Sequence, residues 1–130
     1  MANPNIVSVS SIYGESMGES LTTTVTTDIM TVASNKLVKI NFISCVNTHG
    51  STATVVTVAV VKAGFTSAGI GSSEDNVDNF YLCSTLNLPA DDVLIVLDKP
   101  IYLMEGDVLE GGANPATCHI FISYEVLDDA

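Results

Sequence analysis

The chain has 130 residues and a formal net charge of −11, from fifteen carboxylates against four lysines and no arginine. Because 47% of its residues are hydrophobic, it can bury a core, which excludes a disordered acidic tail. A body this anionic repels phosphate backbones and anionic headgroups, so neither nucleic acid nor a membrane surface is expected as a partner.

One domain over residues 1–130 is expected, since domains typically run about 100–150 residues. Residues 1–5 show neither a basic nor an apolar leader segment, so no secretory signal is expected. The longest strongly apolar stretch, 53–61, is too short to span a bilayer and is interrupted by Thr.

Along the chain the patterning is of period two. Residues 6–13 and the Thr-rich 21–32 are candidate strands. In 37–47, alternation places Val38, Ile40, Phe42 and Val46 on one face, with Lys39, Asn41, Ile43 and Cys45 on the other. Residues 47–51 carry turn chemistry and 53–62 return as a Val/Thr-rich strand, which together predict a hairpin. Residues 63–77 are rich in Gly and Ser and end acidic, as an exposed loop does. The next strand, 80–88, has Phe80, Leu82, Leu86 and Leu88 on one face, and 89–92 breaks it before the apolar 93–97. Gly106, between Glu105 and Asp107, marks a tight turn that needs positive φ. The last strand, 117–127, has Cys118, Ile120, Ile122, Tyr124 and Val126 inward and His119 and Phe121 outward. No helical period is sustained. The expected fold is all-β, an antiparallel β-sandwich with a jelly roll among its variants. Its core is expected to hold Val38, Ile40, Phe42, Val56, Val58, Val60, Leu82, Leu86, Ile120 and Ile122.

Catalysis needs titratable groups gathered in a cleft, and no motif in this chain gathers them. The acidic clusters at 74–78, 91–92 and 128–129 fall in predicted loops or at a terminus and read as solvated surface. Glu74, Asp75, Asn76 and Asp78 offer oxygen ligands of the kind calcium takes, but without EF-hand spacing. Cys118 and His119 are adjacent on a strand and face opposite ways, so they do not share a metal ion. Cys45, Cys83 and Cys118 are odd in number and dispersed, which predicts reduced thiols from a cytoplasm. No enzyme activity, cofactor or metal is expected. A glycan-binding module is a rival reading, with Tyr13 and Tyr81 as its aromatic platforms.

Residues 2–14 (ANPNIVSVSSIYG), 36–41 (KLVKIN), 47–61, 88–90 (LPA), 101–107 (IYLMEGD) and 122–125 (ISYE) resemble a group of small virion proteins of tailed bacteriophages, including phages of marine bacteria and cyanobacteria. The loop 63–79 is longer than that group's equivalent. The resemblance implies a β-sandwich virion structural protein made in the host cytoplasm. It would decorate the outer capsid surface, binding the major capsid protein or other virion proteins as a homotrimer. A tail, neck or fibre-associated component is the alternative within the virion. Residues 1–14 are expected to act as an arm, carried by 6–13, apolar yet near a terminus. Ile6, Val7, Val9, Ile12 and Tyr13 would then pair with a neighbouring subunit.

Overall fold

A computed structural model of the chain describes residues 9–63 and 79–128. Among these residues nine strands form: β1 (Ser11–Ser20), β2 (Asp28–Thr31), β3 (Lys36–Asn47), β4 (Thr54–Val61), β5 (Asn79–Leu88), β6 (Val93–Leu97), β7 (Ile101–Leu103), β8 (Val108–Asn114) and β9 (Cys118–Asp128). All pairings are antiparallel. One sheet, A, runs β1-β9-β3-β6, with β7 continuing the β6 edge along β3; the other, B, runs β2-β8-β4-β5. If β6 and β7 are taken as one strand broken at Pro100, there are eight strands. The first then pairs with the eighth, the second with the seventh, the third with the sixth and the fourth with the fifth. That is a long antiparallel hairpin rolled up on itself, the jelly-roll form of the β-sandwich.

β3 and β4 therefore do not form the expected hairpin. They lie in different sheets, and residues 48–53 cross between them. Both strands are buried enough to be central, and each finds two other neighbours: β9 and the β6–β7 edge for β3, β8 and β5 for β4. Asn47 holds the crossing. It is fully buried, and its amide Nδ2 donates to the carbonyls of Thr52 at 2.9 Å and of Leu88 and Pro89 at 3.2 Å. Its Oδ1 accepts from the His49 N–H at 3.1 Å and the Thr117 hydroxyl at 2.8 Å. One side chain thus ties three loops at one end of the sandwich.

The core between the sheets holds Val38, Ile40, Val56, Val58, Val60, Ile120 and Ile122 as expected, joined by Ile43, Cys45, Leu103 and Leu109. Phe42 and Val46 are on the other face. The cause is a β-bulge in β3 against β9: Ile40 pairs with Tyr124 and Phe42 with Ser123, leaving Asn41 as the extra residue. Even positions point inward before the bulge and odd positions after it, so strict alternation mispredicts the second half of the strand. Asn41 uses its unpaired position to donate from Nδ2 to Glu125 Oε2 at 3.1 Å.

β5 departs from alternation for a similar reason. Its register against β4 slips twice, and Thr85 sits at φ 47°, with its N–H donating to the Thr57 hydroxyl at 3.0 Å. Leu82 is half-buried against the core, whereas Phe80 and Leu86, expected inside, are exposed on this edge strand. Near the N-terminus, the strand runs on through Gly14–Ser20, beyond the expected 6–13, while of 21–32 only Asp28–Thr31 pairs as a strand. Residues 22–27 form a turn alongside β8, with Thr22 and Thr27 carbonyls accepting from Ala113 and Gly111.

Gly106 takes φ +86°, as the turn chemistry requires, and a Cβ there would meet the Ala63 side chain at 2.9 Å. The turn is fixed by Asp107, whose buried carboxylate accepts from the Met104 N–H at 2.8 Å and the Ala63 N–H at 3.0 Å and pairs with Lys62. The predicted loop 63–77 falls almost entirely outside the described residues.

Candidate interaction surface

Directly paired residues in an antiparallel sheet share a face, so the registers assign every side chain of sheet A. Val46 is paired with Val93 on β6 and with His119 on β9; next to this row, Ser44 is paired with Ile95 and Phe121. Both rows look away from the core. Val46, Val93, Ile95 and Phe121 are exposed by 38%, 51%, 47% and 48% respectively, so four large apolar side chains stand together on the outer face. Tyr102 and Ile12 extend the same face at its other end, through the rows Tyr102–Lys39–Glu125 and Leu37–Leu127–Ile12. The Phe121 ring leans over Gly18 of β1, whose missing side chain leaves room for it: a Cβ there would come to 3.3 Å of the ring. A shallow open depression lies beside this contact, between Ser20 and His119.

β1 is one edge strand of sheet A, the β6–β7 side being the other. Ile12 is on its outer face opposite Leu127, while Tyr13 points to the core side opposite Val126 and is exposed on this edge strand. Val9 is half-buried just before the strand, and Ile6 and Val7 lie outside the described residues. Residues 11–14, counted with the expected arm, are thus hydrogen-bonded to the chain's own β9 on one side. Glu15 and Glu19 also face the core side of this edge strand. Glu15 is opposite Tyr124, whose hydroxyl is pushed up first by burial and then by that carboxylate.

A second exposed apolar group lies on the opposite sheet. Tyr81, at 58% exposure, faces outward from β5 opposite Ala59, with Phe80 and Leu86 exposed along the same strand. Sequence reasoning found neither apolar surface. The bulge that turns Val46 outward leaves no mark that a period-two count can read, and Leu86, opposite the buried Val56, is exposed because β5 is an edge strand.

Among the described residues no three or more His, Cys, Asp or Glu side chains are grouped to hold a metal ion. The candidate calcium ligands at 74–78 lie outside those residues. The three cysteines are free thiols. Cys45 and Cys118, distant in sequence, meet in the core, where a shared hydrogen bond and then burial push the Cys45 thiol well above its usual range. The Cys83 thiol is also raised, chiefly by burial. Thiols raised in this way are poor nucleophiles, and Cys118, the other partner in the hydrogen bond, is buried in the core. His119 points outward, away from Cys118. His49 closes its own turn, with Nδ1 accepting from the Ser51 and Thr52 N–H groups at 3.1 and 3.0 Å. Of the described carboxylates, Glu110 is buried on β8, and its pKa is raised by burial first and by Asp28 second. No helix among the described residues is long and apolar enough to cross a membrane.

No protein-family model, curated protein or solved structure matches the chain.

Proposed function

We propose that this protein is a structural component of a tailed-phage virion, a decoration protein that binds the major capsid protein from outside as a homotrimer and carries out no catalysis. The observation that carries the reading is the pair of exposed apolar surfaces, on the outer face of sheet A and along β5, set in a strongly anionic body. Large exposed apolar groups mark contact sites, and a decorating oligomer needs two of them, one for its own copies and one for the shell. The charge suits the outside of a particle, because packaged DNA would repel it. The short motifs shared with phage virion proteins support the same reading, and the jelly-roll architecture, common in capsid domains, agrees with it at the level of fold analogy.

Lectins also use jelly rolls, but here the exposed tyrosines do not converge. Tyr13 faces the core side of the β1 edge, Tyr81 the outside of sheet B and Tyr102 the outside of sheet A, so no two build one stacking platform. Virion density from the phage that encodes the chain tests the proposal. Density for this sandwich on the outer capsid surface is expected; density confined to the tail or neck would contradict capsid decoration.

A further inference from the structure

Sheet A differs from the rest of the molecule in its charge. Of the outward residues on its five strands, only Lys39 and Glu125 are charged; they are cross-strand partners, so the face sums to zero in a chain of −11. Around that pair stand Ile12, Tyr102, Phe121, Ile95, Val93 and Val46, all exposed. We infer that the outer face of sheet A is where copies of this chain meet, turned inward around the symmetry axis of the oligomer.

Two such bodies repel each other over most of their surfaces. The neutral face is the approach that adds no like-charge contact, and it is the one that buries the most exposed apolar side chains. A basic partner would instead seek carboxylates, and the single one here already has Lys39 opposite and the Asn41 amide on its Oε2. The open edge of β1 is less suited to a second copy. A strand added there would run beside Glu15 and Glu19, and inward-pointing charges on an edge discourage pairing. Gly14 and Ser16 keep the β1 side of the face low, and nothing lies within 4 Å of a Cβ placed on Gly14, so a neighbouring sheet can approach closely there.

The inference deepens the oligomer of the proposed function but needs no capsid for its test. Sedimentation equilibrium of the purified full chain, across protein concentration at low and high salt, reads it. The expected result is an oligomer that tightens as salt rises, because screening removes the repulsion between anionic copies. Ile95→Glu and Phe121→Glu should each weaken it by on the order of a hundredfold, as each would desolvate an unpaired carboxylate in the contact. Circular dichroism and melting should show both variants folded, since both residues are exposed in the single chain. Tyr81→Glu, on the other sheet, should leave the association unchanged. A monomer at every concentration, an oligomer that loosens with salt, or one that survives both sheet A substitutions would overturn the inference.

Discussion

Asn47 is the residue on which one end of the sandwich depends. Its buried amide satisfies backbone groups from two loops and the Thr117 hydroxyl of a third, and its loss would leave those groups without this partner. Asn47→Ala should lower the unfolding free energy by roughly 2–4 kcal/mol in a urea titration, whereas a loss under about 1 kcal/mol would mean that the loops do not need it. Glu110 acts in the opposite sense. Burial and Asp28 raise its pKa in the folded chain, so the native state holds the proton to higher pH than the unfolded state does. Its favourable contribution is complete below the unfolded carboxylate pKa and is lost as pH rises through the folded one. At neutral pH the ionised group opposes folding. Glu110→Gln should therefore raise the melting temperature at pH 7, with the gain shrinking as pH falls toward the ordinary glutamate pKa of about 4.3. A gain that is constant with pH would show that ionisation is not the cause.

At the scale of the element, the strands were legible wherever alternation runs unbroken. Cys118, Ile120 and Ile122 point inward and His119 and Phe121 outward, as their spacing requires. Gly106 also declared itself, because Glu-Gly-Asp between two apolar runs has few conformations other than a positive-φ turn. Gly106→Val should cost at least about 1 kcal/mol from backbone strain, with the Ala63 contact adding to it; melting of the variant checks this, and an unchanged midpoint would refute it. Bulges were not legible. Asn41 inserts one residue and reverses the facing of Phe42, Ile43, Cys45 and Val46, yet nothing in its neighbours distinguishes it from a regular strand residue. The β3–β4 hairpin failed for a related reason: turn-forming residues at 47–51 specify a reversal but not whether the chain returns to the same sheet or crosses to the other. That choice is made by Asn47, Leu88 and Thr117, which are far apart in sequence.

For the whole molecule, composition gave the class and the charge argument, but the candidate surface came from the fold. A neutral face on a chain of −11 exists only because the registers of β1, β9, β3 and β6 send nearly every carboxylate of sheet A elsewhere. The thiols tell the same story: dispersed in sequence, Cys45 and Cys118 meet in the core once β3 is laid against β9. On the proposed function, this sandwich uses its exposed apolar surfaces to assemble onto a capsid. If that proposal holds, the most direct measurement is co-sedimentation of the labelled protein with DNA-filled capsids that lack it, taken from the phage that encodes the chain. Saturable binding to intact, closed particles is expected, with a rise in the temperature at which they release DNA. Protein left in the supernatant at all concentrations, or sedimenting only with tails, would contradict it.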